Sequence, residues 1–177
     1  MKKVLSVVLA VMMLASLSVY AFADGNPSVT TKAVPAFEEE AVTDDGTVVK
    51  VELTSAADAE GEVKEALDAA VAAVSSEEGL AEALKAAEIE LNAEDKASVG
   101  DVFFFDAKDD NGESVFKADG SVKVKAKIEL PKNLLAALQL VDGNWVEVNF
   151  APDGKGGFCP VLSHAGVVAF VVSAENG

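Results

Sequence analysis

Arginine is missing from this chain of 177 residues: all 14 basic side chains are lysines, set against 30 acids and a single histidine. Without arginine there is no planar, five-donor fork for bidentate capture of phosphate or carboxylate. The net charge of −16 at pH 7 argues against nucleic acid and anionic membrane surfaces as partners, since both require neutralising cations on the protein. Cysteine is nearly absent too. Cys159 stands alone, so no intrachain disulfide forms, and stability must come from a packed core instead of the bridges that many small exported domains use. Aromatic residues make up 6% of the chain, with one Trp (Trp145) and one Tyr (Tyr20), which leaves few rings for stacking on a sugar. No G-x-S-x-G elbow occurs.

What is present begins at the N-terminus. Lys2-Lys3, an apolar run over residues 4–19, and Ala21-Phe22-Ala23 before Asp24 supply the positive end, greasy centre and small-residue cleavage site of a secretory signal peptide. The expectation is a signal peptide over residues 1–23, cut between Ala23 and Asp24. An uncleaved anchor is the competing reading, disfavoured because the run is short for a span and stops at a good cleavage site. The leader holds two of the 14 lysines and none of the 30 acids, so its loss takes the net charge from −16 to −18. The remainder has the length of one domain and can bury roughly 70% of its unfolded surface. Cys159 lies too far from the cleavage site for lipoprotein acylation. Leu130-Pro131-Lys132-Asn133 only superficially resembles a wall-sorting signal, being internal and lacking the final Gly. The mature chain is thus expected to be released or held noncovalently, with no membrane contact after cleavage.

Residues 24–46 carry Pro27, Pro35, Glu38-Glu39-Glu40 and Asp44-Asp45-Gly46 and predict a flexible acidic arm, with at most a short edge strand near Val34. Residues 47–177 predict a single domain. It opens with a strand in which Val49, Val51 and Leu53 alternate with Lys50 and Glu52. A helical segment over residues 56–97 follows. Val63, Leu67, Ala70 and Val74 fall at helical spacing, and Ser75 with Glu78 predicts a capping box opening a second helix that carries Leu80, Ala83, Leu84 and Ala87. From Val102 the period becomes two. Val102-Phe103-Phe104-Phe105 reads as a central strand, and Asn111-Gly112 marks a tight turn. Val122, Val124, Ala126, Ile128 and Leu130 alternate with Lys123, Lys125, Lys127 and Glu129, the clearest strand pattern in the chain. A hairpin around Asp142-Gly143-Asn144 joins strands at 138–141 and 145–150. A further turn over 152–157 leads to strands at 158–162 and 167–172. Fold class is therefore expected to be α+β: an antiparallel β-sandwich with two short Ala-rich helices inserted before the main strands.

The turns and strand ends of residues 47–172, from Asp101-Val102-Phe103-Phe104-Phe105-Asp106 through Asp119-Gly120-Ser121-Val122 and Asp142-Gly143-Asn144-Trp145 to Leu162-Ser163-His164, resemble immunoglobulin-like β-sandwich modules of secreted and cell-surface proteins in Gram-positive bacteria. Ala165-Gly166 replaces the aromatic that usually follows the His. The resemblance implies fold and location and carries no catalytic signature. The Pro-rich linker and anchoring tail that often accompany such modules have no counterpart here.

His164 follows Ser163, and adjacent residues do not present a hydroxyl to an imidazole as a triad requires, so His164 reads as a corner residue. Cys159 and His164 offer two zinc ligands where three or four are needed; Cys159 reads as a small buried hydrophobe. Asp106, Asp109, Asp110 and Glu113 surround Asn111-Gly112 and could gather oxygens for Ca²⁺, yet with Gly112 at the sixth position an EF-hand register puts Ala107 first and Ala118 twelfth. Lys123, Lys125 and Lys127, with Lys117 nearby, form a basic row that either keeps a sheet face wet or meets an anionic surface polymer.

No catalytic, cofactor-binding or metal residue is assigned and no cofactor is expected. The expected protein is a monomeric, secreted, non-enzymatic module acting in adhesion, scaffolding or envelope association with an extracellular or cell-envelope partner. Two alternatives stay open. A carboxylate-dependent hydrolase would show a cleft with two carboxyl groups about 5 to 9.5 Å apart and an exposed ring, and a Ca²⁺-stabilised binding module would melt higher with calcium.

Overall fold

Two strands at the centre of the sheet carry apolar residues on both faces, and the rest of the architecture follows from them. The computed structural model describes residues 33–92 and 95–174; the expected signal peptide and the start of the expected arm lie outside the described residues. In chain order the elements are β1 (Glu40–Thr43), β2 (Val48–Ser55), α1 (Gly61–Val74), α2 (Glu77–Ala86), β3 (Ala97–Lys108), β4 (Val124–Lys125), β5 (Leu134–Val141), β6 (Asn144–Glu147), β7 (Asn149–Pro152), β8 (Phe158–Leu162) and β9 (Gly166–Ser173). All strand pairs are antiparallel, in the order β6-β5-β9-β3-β2-β1-β4-β8-β7.

Strands β3 and β9 pair with Val102 opposite Ala169 and Phe103 opposite Val168. Successive side chains point to opposite faces, so the two strands feed two cores. Val99, Val102, Val167, Ala169 and Val171 face the helices, where Leu67, Val74, Leu80, Leu84 and Trp145 complete one cluster. Phe103, Phe105, Val168 and Phe170 face inward and meet Val49, Val51, Val124, Ile128 and Leu162. Phe103 and Phe170 stack edge to face with centroids 5.3 Å apart, a favoured aromatic geometry. The apolar character of residues 102–105 on both sides is thus explained: each face of β3 is covered.

The two ends of the strand order, β6 and β7, are consecutive in the chain and separated by Val148 alone. Val148 is buried in the inner core, and its N–H donates to the Ala137 carbonyl at 2.8 Å. One extended stretch therefore bends at Val148, pairing first with β5 and then with β8, and the nine described strands curl into a nearly closed sheet. The antiparallel, β-rich α+β expectation with two short helices is met.

Several local expectations need correction. The arm over residues 24–46 is built into the sheet across its described second half: β1 lies between β2 and β4, with Glu40 opposite Lys50 and Val42 opposite Lys125. Its acids masked a period-two pattern in which Ala41 and Thr43 point inward while Glu38 and Glu40 stay exposed. Over residues 122–130 burial alternates as expected, but the regular ladder spans only Val124 and Lys125. Pro160 on the neighbouring β8 has no N–H to donate, and the Ile128 N–H turns back to the Ala126 carbonyl at 3.1 Å. The hairpin turn is two residues, Asp142 (φ 49°) and Gly143 (φ 80°), with Val141 opposite Asn144, as right-handed strand twist favours. The cap of α2 is Ser76 and not Ser75: its hydroxyl accepts the Gly79 N–H at 3.1 Å, and Ser75 donates to the Ala72 carbonyl.

Candidate functional site

Where the β4–β8 ladder fails at Pro160, the surface opens. Residues 36–38 cross on one side, Lys127 to Glu129 continue from β4, and the β7–β8 turn closes the other side. Two shallow depressions of about 310 Å³ and 270 Å³ share Glu38, Lys127, Asp153 and Cys159. Their rim carries the most exposed large apolar side chains among the described residues: Phe158 at 63%, Val48 at 59% and Val42 at 45% exposure.

Charge in this region is organised around Glu38. Lys127 Nζ lies 2.6 Å from its carboxylate and Lys155 Nζ 4.0 Å away. The Lys127 hydrogen bond holds the Glu38 carboxyl below the usual glutamate range, and the same bond raises the Lys127 ammonium. Asp153 turns its carboxylate to its own loop, accepting the N–H groups of Lys155 (2.7 Å) and Gly157 (2.8 Å), which lowers its pKa. Cys159 is 3% exposed, with Sγ 3.5 Å from the Ala151 carbonyl. Burial, then the nearby Asp153 charge, pushes its thiol up, which suppresses the reactive thiolate.

The sequence candidates fall in different places. His164 is half-buried; its Nδ1 is 2.9 Å from Ser163 Oγ, its carbonyl accepts Gln139 Nε2 at 2.7 Å, and its ring lies over Gly120. Among the described residues no carboxylate hydrogen-bonds the ring. Asp106 accepts Ser114 Oγ at 2.6 Å and the Ala107 N–H at 2.8 Å. Asp109 accepts the N–H groups of Asn111 (2.9 Å) and Glu113 (3.0 Å). These carboxylates brace the turn, and Asp110 and Glu113 are exposed beside it. Among the described residues no group of three or more His, Cys, Asp or Glu is placed to hold a metal ion. Trp145 is 8% exposed and packs in the helix-side core. Lys123, Lys125 and Lys127 all project outward, and Lys125 and Lys127 line the depressions.

Glu38, Asp153, Lys155 and Phe158 were missed from sequence. The Gly-rich turn over 152–157 was legible, but its placement beside β4 depends on the bend at Val148. No helix among the described residues is long and apolar enough to cross a membrane. No protein family matches the chain, and no similarity to a curated protein or a solved structure is found.

Proposed function

We propose that this protein is a secreted, non-enzymatic extracellular module, of the immunoglobulin-like kind found on Gram-positive cells, that acts in adhesion, scaffolding or envelope association through the open face around β4, β8 and the β7–β8 turn. The carrying observation is Phe158: a phenyl ring 63% exposed on the rim of the larger depression, while the other Phe and Trp rings among the described residues are buried or half-buried. Burying such a side chain against a partner contributes about 1.5–3 kcal/mol. Further support comes from two acids of this face, of which Glu38 is held in ion pairs with Lys127 and Lys155 and Asp153 braces its own turn.

The test has two parts. Mass spectrometry of the exported protein is expected to show loss of residues 1–23; an intact chain confined to the cytosol would overturn the proposal. Purified mature protein is expected to cosediment with envelope fragments of the producing cell. Phe158→Ser should weaken that binding about tenfold, the 1.4 kcal/mol scale of one lost apolar contact, without lowering Tm. Equal binding by wild type and variant would remove this face from the proposal.

A further inference from the structure

The turn that follows β3 presents a side-chain amide to a bare backbone nitrogen. Asn111 and Gly112 are both exposed, Gly112 has φ 81°, and the space where a Cβ would stand is open. Nothing at residue 112 therefore shields its nitrogen. The other asparagines among the described residues, Asn92, Asn133, Asn144 and Asn149, are followed by Ala, Leu, Trp and Phe, whose side chains crowd that approach. Asn133 is also tied down, its Nδ2 donating to the Ser173 carbonyl at 2.6 Å. At Asn111 both reacting groups are tethered to one residue. Asn111 Nδ2 donates to Asp109 Oδ2 at 3.2 Å, and the Gly112 N–H donates to the Asp109 carbonyl at 3.0 Å. Asp109 Oδ1 accepts the Asn111 N–H at 2.9 Å and the Glu113 N–H at 3.0 Å.

We propose that Asn111 is a site of spontaneous covalent modification, deamidation through a cyclic imide, and that Asp109 is the positioning residue that slows it. The Gly112 nitrogen gives up its proton to solvent and attacks Asn111 Cγ. The new N–Cγ bond closes a five-membered ring, the Cγ–Nδ2 bond breaks, and Nδ2 takes up a proton and leaves as ammonia. Water then opens the ring. Cleavage of the new N–Cγ bond gives aspartate, and cleavage at the former main-chain carbonyl gives isoaspartate. The balance is amide plus water to carboxylic acid plus ammonia, with no oxidant or reductant. Asp109 opposes the first step, because its bonds to Nδ2 and to the Gly112 N–H must both break before the ring closes. Either product places a carboxylate where Nδ2 had donated to Asp109, and like charges so placed repel. Isoaspartate also lengthens a main chain that the Asp109 N–H closes on the Glu113 carbonyl at 2.9 Å. The inference is independent of how the open face around β4 and β8 is used.

The experiment incubates the purified full chain for weeks at mildly alkaline pH, folded and in urea, and follows each asparagine by peptide mass spectrometry that separates aspartate from isoaspartate. In the folded chain Asn111 is expected to convert ahead of Asn92, Asn133, Asn144 and Asn149, at a rate that climbs with pH. Urea should speed it several-fold by releasing the tethers. Asp109→Ala should bring the folded rate toward the urea rate. Asp109→Ser separates the tether from the general bracing of the turn: its hydroxyl can still accept the Asn111 and Glu113 N–H groups, but no second oxygen holds Nδ2. A several-fold acceleration in Asp109→Ser with unchanged Tm is therefore expected, whereas a bracing role alone leaves the rate at the wild-type value. Asn111→Gln, whose longer side chain cannot close a five-membered ring, should stay unmodified. An unmodified Asn111 in the folded chain, earlier conversion of one of the other four, equal rates with and without urea, or a wild-type rate in Asp109→Ser would each overturn the proposal.

Discussion

At the residue scale, single side chains decide how the local structure starts and how tightly it closes. Two adjacent serines precede α2, and only Ser76 places its hydroxyl on the Gly79 N–H. Ser76→Ala is expected to cost about 1 kcal/mol, as N-cap removals do, whereas Ser75→Ala should cost no more than a few tenths. Urea midpoints of the two variants distinguish them, and equal midpoints would place the cap elsewhere. Inside the curled sheet Phe170 is fully buried edge-on to Phe103. Phe170→Ala should remove about 3–5 kcal/mol, a large share of the roughly 5–15 kcal/mol that holds a domain together; chemical denaturation measures it directly.

At the element scale, close approach overrides propensity. Alanine is favoured over glycine inside a helix by about 1 kcal/mol, yet a Cβ on Gly79 would collide with the Ala73 carbonyl oxygen at the end of α1. Gly79→Ala is therefore expected to lower Tm despite its better helix propensity, because α1 and α2 must separate or α2 must lose its first turn. A Tm equal to or above wild type would show that the helices do not meet this closely. The same contest between local preference and surroundings explains β4. Its residues have the strongest alternation in the chain, but the ladder is cut short by Pro160 on its neighbour, and the opening that results is lined by Phe158, Glu38 and Lys127.

At the scale of the whole molecule, acidity governs stability. Asp45 is held below its ordinary range first by the Thr43 hydroxyl, Asp109 by the Glu113 N–H, Asp119 by Ser121 and Asp153 by the Lys155 N–H. A depressed folded pKa contributes stability that is fully present above the unfolded value, about 3.9 for aspartate. It is lost as pH falls through the folded values. Asp101 is the opposite case. Partial burial raises its pKa, so its contribution is present below the unfolded value and lost as pH rises through the raised one. Protonating carboxylates also relieves self-repulsion in a chain of net charge −16. Tm is therefore expected to rise as pH falls from 8 toward about 5, then to drop below about 4, where the turn aspartates protonate. Asp101→Asn should raise Tm at neutral pH and leave it nearly unchanged near pH 3. A Tm that falls steadily from pH 8 downward would contradict this balance.

Local periodicity by itself determined most of the elements: the two Ala-rich helices, the central position of residues 102–105, the alternation over 122–130 and the glycine turns, because 3.6- and 2-residue patterns and positive-φ turns are written in neighbouring residues. It also supplied the lysine row. Only the tertiary structure decided that β1 sits inside the sheet, that one stretch bends at Val148 to join both ends of the strand order, and that Glu38, Lys155 and Phe158 meet Lys127 across a broken ladder. These are pairings between residues far apart in the chain. Their energy comes from surfaces and hydrogen-bonding edges that exist only once the sheet has curled, so no local pattern can encode them.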